Sequence, residues 1–204
     1  LFARVKAVYD NRAAMTMTVE DAKLLETTYD TTVHAGALLS DAEREQVKAI
    51  NSQLSTLTTE FSQAARAAMS DQPVIFDTRE ELAGLSDNDI KSAADLATEK
   101  GFDGKYAIAL QNTTQQPLIP AMDDREARQK LFEASYHRAD GTTDIDTRLL
   151  IARIAELRAE KAELFGKPDW ASYTMWDRMA EKPETALAFM EQMVPALAAT
   201  QRRE

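Results

Sequence analysis

A chain of 204 residues, 44% hydrophobic and 28% charged, is long enough to bury a core as one large domain or two small ones. Its formal charge of −10, with no Lys/Arg cluster free of interspersed acids, argues against nucleic acid, whose phosphates need a basic face, and against anionic membranes. The absence of cysteine excludes disulfides and thiolate chemistry, and no apolar run nears the eighteen or so residues of a membrane span.

Few glycines and prolines, with Ala, Leu, Glu, Arg and Gln recurring throughout, predict long helices and few tight turns. The opening Leu1-Phe2-Ala3-Arg4-Val5-Lys6 does not read as a signal peptide. A first helix is expected over residues 1 to 14, with Leu1, Val5 and Val8 on one face. A second follows Thr18, with Val19, Leu24, Leu25, Tyr29 and Val33 as apolar positions and Gly36 as its stop.

Ser40 and Glu43 form a capping box, in which each side chain satisfies the other residue's free N–H. Val47, Ile50, Leu54, Leu57, Phe61, Ala64 and Ala68 then repeat at spacings of three and four, a coiled-coil-like seam. Its end in small residues favours packing within the chain over a dimeric coiled coil. Pro73 breaks the pattern, and Val74-Ile75-Phe76 reads as a strand. Ser86 to Asp89 cap another helix, which Gly101 stops. Lys105 to Leu110 alternates like a strand, and a polar loop, Gln111 to Gln116, is closed by Pro117. Helices are expected again over 123 to 138 and 145 to 165, the second with Ile145, Leu149, Ile151, Ile154, Leu157 and Leu164 as apolar positions. A short aromatic helix over 169 to 178 follows, and a last one from Pro183 to the end. The fold class is therefore mainly α: long antiparallel helices in hairpins or a bundle, with a small β-element near 73–77 and 105–118.

Chemistry is sparse. The two histidines, His34 and His137, have no partner His four residues on, so neither opens an H-E-x-x-H motif; each reads as a helix-end histidine. There is no G-x-S-x-G elbow and no S-x-x-K. Gly101 to Gly104 lacks the Lys-Ser/Thr of a phosphate loop. The acid pairs Glu80-Glu81 and Asp123-Asp124 are explained by helix N-termini. Trp170, Tyr173 and Trp176, at helical spacing, suit a core stripe or a peptide groove. Catalytic, cofactor-binding and metal site residues are all read as none.

Collinear segments nonetheless carry a likeness. They are His34 to Leu39, Asn51 to Leu57, Phe61 to Gln63, Glu81 to Leu85, Gly104 to Tyr106, Leu110 to Pro117 and the run from Leu164 to Met190. Together they resemble the thimet oligopeptidase family of zinc metallopeptidases, most of all its bacterial members that release dipeptides from peptide C-termini. The resemblance implies two helical lobes around a channel for short peptides, with the zinc, its H-E-x-x-H helix and the remaining ligands in sequence beyond Glu204. It makes residues 1–204 a single helical region of that larger enzyme: a length of channel wall, inactive alone, binding no zinc, and partnered by the catalytic half. The first and last helical patterns lack caps, which fits such a piece. Surfaces meant for the other half would then favour homodimers of this portion. The expected compartment is the cytoplasm, with the periplasm as alternative. The competing reading is an independent helical peptide-binding or scaffold module, and a third is a naturally short member that lost its catalytic half.

Overall fold

The computed structural model describes residues 1–203 and is mainly α, with nine helices and two short strands among them. In chain order these are α1 (Phe2–Asp10), α2 (Val19–His34), α3 (Asp41–Ser70), β1 (Val74–Phe76), α4 (Asp87–Glu99), β2 (Tyr106–Ile108), α5 (Asn112–Leu118), α6 (Arg125–Tyr136), α7 (Arg148–Leu164), α8 (Trp170–Thr174) and α9 (Pro183–Gln201). The expected final helix closes at Gln201, and Glu204 lies outside the described residues. The chain forms two compact units, one of residues 1–54 and 155–204, the other of 55–154, and α3 and α7 each contribute to both.

The helix boundaries follow local chemistry. Thr18 Oγ1 accepts the Asp21 N–H and starts α2. At α3, Glu43 accepts the Ser40 N–H at 2.7 Å while Ser40 Oγ accepts the Glu43 N–H at 3.3 Å, the reciprocal pair expected. Ser86 caps α4, Asp124 caps α6 and Asp169 caps α8. α2 ends as Gly36 N–H bonds Val33 and Ala37 N–H bonds Thr32; α4 repeats this with Gly101 on Thr98 and Phe102 on Ala97. Both glycines hold positive φ, +99° and +83°, which a Cβ would disfavour.

In the first unit, α1 lies on α2 through Tyr9 and Tyr29, stacked 3.8 Å apart, with Phe2 also stacked on Tyr29 at 6.0 Å. The expected first helix to residue 14 breaks earlier, at Asp10. The Asn11 amide turns back to the Ala7 carbonyl, and the Arg12 guanidinium bonds Tyr9 O and covers its ring. These side-chain bonds compete with the next helical turn, and Arg12–Ala14 winds as a 3-10 turn. Val47, Ile50, Leu157 and Ala162 are buried in this unit.

In the second unit, β1 and β2 pair antiparallel, with Val74 opposite Ile108 and Phe76 opposite Tyr106. The pleat puts Val74 and Phe76 on one face, where they join Leu82, Ile108, Met122 and Leu131 in the core. The expected β-element over 105–118 is shorter than read: only Tyr106–Ile108 is strand, and the polar stretch expected as a loop is helix α5. Gln111 supplies the extended N-cap, and the bonds from Thr114 and Gln115 N–H to Gln111 O close the first turn. In so short a helix Pro117 deletes a single backbone bond, so proline does not prevent it.

Helix α7 starts at Arg148, not 145. Ala139 holds φ +60°, and Thr147 ties that turn down by donating both its N–H (2.9 Å) and its hydroxyl (3.0 Å) to Ala139 O. Gly141 N–H meanwhile bonds Ile145 O. Of the apolar positions expected along α7, Ile154 and Leu157 are buried, but Leu149 and Ile151 are 82% and 51% exposed. Ala162, buried at 1%, takes a core position that its small size concealed.

Candidate functional site

The polar stretch Gln111–Gln116 and the aromatic stripe Trp170–Trp176 fall in different units. Within the first unit, α8 is set by Asp169, whose carboxylate accepts the Ser172 N–H at 2.7 Å. This turns Tyr173 inward to 7% exposure. His34, the last residue of α2, stacks between Tyr173 at 4.3 Å and Trp176 at 4.7 Å, and Phe165 tilts against Tyr173 at 4.9 Å. Trp170 stacks on Tyr173 at 5.1 Å. The Lys161 ammonium lies over the Tyr173 and Trp170 rings and donates to Asn51 Oδ1 at 2.8 Å. Burial lowers the pKa of His34 and of Lys161 and raises that of Tyr173.

The stripe is thus a core, with His34 as a stacked ring. Below the ordinary histidine value of about 6.5 the unfolded chain binds the proton more readily than the folded one, so stability falls as pH drops out of the neutral range. The His34 ring is expected to titrate below that value in the folded protein. Its Cε1–H NMR shift against pH checks this, and a midpoint at or above 6.5 refutes it.

Within the second unit, a groove of about 510 Å³ runs beside β2, lined by Ser92, Ala107, Gln111, Thr113, Thr114 and Pro117 among others. It offers hydroxyls and amides. Gln115 turns the other way and is 2% exposed, with its Oε1 lacking any hydrogen-bond partner. A buried acceptor left unbonded costs about 1–3 kcal/mol, so Gln115→Met should stabilise the protein by about 1 kcal/mol. Thermal melts test this; a lower Tm would show that the amide has a use that methionine cannot supply.

The remaining candidates have structural uses. His137 is the C-cap of α6, its Nδ1 2.8 Å from Asp140 Oδ2. Asp124 caps α6, accepting from Glu126 and Ala127 N–H, and Glu81 accepts from Asp77 and Thr78 N–H at the turn before Glu80–Leu82. Gly101 and Gly104 make the turn between α4 and β2. Among the described residues, no group of three or more His, Cys, Asp or Glu side chains is placed to hold a metal ion. With His34 packed among rings and His137 paired to Asp140, the two histidines do not form a catalytic zinc ligand set.

Comparison with known proteins gives a likeness. Residues 118–204 match peptidase family M3. The chain is also 42% identical over 196 residues, 96% of its length, to the dipeptidyl carboxypeptidase of Escherichia coli K12. The likeness is to members of peptidase family M3, with the family match confined to residues 118–204. The Salmonella typhimurium dipeptidyl carboxypeptidase is 38% identical over 195 residues, and oligopeptidase A of Haemophilus influenzae 26% over 163 residues, 78% of this chain and 24% of its own. The chain spans 29% of the length of each of the two dipeptidyl carboxypeptidases. The M3 match takes in α6 to α9, and so includes the His137–Asp140 turn and the aromatic cluster around Tyr173. No helix among the described residues is long and apolar enough to cross a membrane.

Proposed function

We propose that residues 1–204 are one helical region of a larger, two-lobed zinc peptidase that releases dipeptides from the C-termini of short peptides. In this reading the region forms part of the channel wall and leaves the hydrolytic chemistry to the rest of the enzyme. One observation carries it: identity of 42% along 96% of the chain to a dipeptidyl carboxypeptidase of which it spans 29%. Zinc in the whole enzyme would polarise the scissile carbonyl and activate water. This region contributes no ligand to it. Its residues supply helices fixed by capped ends and a packed second unit, which limit entry to short, flexible peptides.

The test compares the 204-residue chain with the longer product of its gene on a free-ended pentapeptide, reading released dipeptide by mass spectrometry. The long protein should release C-terminal dipeptides and stop with a chelator, and the 204 residues alone should release none. Dipeptide release by the short chain, or a reading frame that closes just after Glu204, overturns the proposal.

The same reading predicts self-association of the isolated region. No residue of α9 is buried, and Leu187, Phe189, Val194 and Leu197 are all more than half exposed. Apolar faces of this kind associate. Light scattering should show mass rising with concentration, and a strict monomer at high concentration counts against it.

A further inference from the structure

We propose that the second unit carries a binding pocket for a small organic carboxylate with an apolar body. A cavity of about 340 Å³ opens where the end of α3, β1 and the last turn of α6 meet the turn after Ala139. That volume lies in the range of small-ligand sites. Its floor is apolar, made by Pro73, Val74, Ile75, Leu110 and Ala134. Its polar lining holds Lys130, His137 and Arg138 with the hydroxyls of Thr142 and Thr143.

Charge makes the pocket distinctive. The chain has 34 acidic residues against 24 Lys and Arg, yet none of the pocket's twelve lining residues is acidic. Each permanent cation is fixed by one backbone carbonyl and keeps other donors. Lys130 Nζ gives one N–H to Ile75 O at 2.6 Å, and Arg138 Nη1 gives one to Leu110 O. An ammonium has three N–H groups and a guanidinium five, so both retain donors for a ligand. Lys130 also lies 3.9 Å from Glu81, and His137 is held by Asp140, but neither acid lines the pocket. His137 donates from its second nitrogen only when its ring is protonated, so the two permanent cations carry the site. Arg138, two residues past the last residue of α6, offsets the carbonyl end of that helix, which by itself repels anions.

An inorganic anion would waste the apolar floor, and a neutral apolar molecule would leave the cations without a partner. A carboxylate on a short branched hydrocarbon uses both. This assignment does not depend on the peptidase reading.

The test uses the 204-residue chain and backbone amide NMR with isocaproate, isocaproamide and inorganic phosphate as probes. Isocaproate should give saturable shifts over residues 130–143 and β1, and bind at least about tenfold more tightly than the amide or phosphate, as loss of a charge-assisted bond predicts. Lys130→Met should weaken isocaproate about tenfold and leave isocaproamide unchanged. Equal binding of acid and amide, phosphate as tight as isocaproate, or no saturable shift in a well-dispersed spectrum overturns the proposal. The acid–amide comparison on the unaltered chain decides the matter even where the variant fails to fold.

Discussion

Gly84→Ala is expected to destabilise the second unit by about 3–5 kcal/mol, the sum of left-handed backbone strain and a forced steric clash. Gly84 holds φ +91°, and a Cβ there would collide with the Ala121 carbonyl oxygen and come within 3.0 Å of Asp123 N. Both obstacles are backbone, so neither can swing aside. They are also tied to the same stretch, because Asp123 N–H donates to Ala83 O at 2.8 Å. Moving residues 83–85 away would break that bond and disturb Leu82 and Leu85, both in the core. Thermal unfolding by circular dichroism should show Tm lowered by about 10 °C. A Tm equal to that of the parent would show that the approach of these two segments is loose.

Phe76→Ala should cost about 3–5 kcal/mol, as for other buried aromatic truncations. The ring is fully buried, on the strand face that also carries Val74. It lies 4.8 Å beneath the Lys130 ammonium, so its loss removes a cation–π contact as well, worth about 0.5–1 kcal/mol at a partly exposed lysine. Urea unfolding should show a lower midpoint with little change in slope. Phe76→Leu, which keeps most of the volume, should recover more than half of the loss. If both variants unfold at the parent's midpoint, the β1 face is not part of the cooperative core.

What was legible in the sequence was local. The Ser40–Glu43 capping box, the Thr18, Ser86 and Asp169 starts and the Gly36 and Gly101 stops depend on residues within five positions of one another, and the structure has each of them. The α3 seam was legible because a repeated spacing defines a face: Val47, Ile50 and Ala68 are buried, and Leu54, Leu57, Phe61 and Ala64 half-buried. Contacts between distant residues were not. His34 meets Tyr173 across 139 positions, and no local pattern announces that stack. The helix over Asn112–Leu118 was hidden by its polar composition and Pro117, since its first turn is closed by backbone bonds to Gln111 O without a side-chain cap. Leu149 and Ile151 fit the helical period yet remain exposed, because period alone does not say what lies opposite. The acid-free pocket joins residues of α3, β1 and α6 and could not be seen along the chain.

The helix starts have a consequence for the protein in acid. Glu43 and Asp169 are held below the usual carboxylate range, Glu43 by the Ser40 hydroxyl and N–H and Asp169 by the Ser172 N–H and hydroxyl. Their contribution is whole above the ordinary carboxylate values of about 4 and is lost as pH falls through the lowered folded values. Acid therefore reaches the protein in two stages: the His34 cluster loses stability below about pH 6.5, and the first turns of α3 and α8 lose theirs only once the carboxylates protonate.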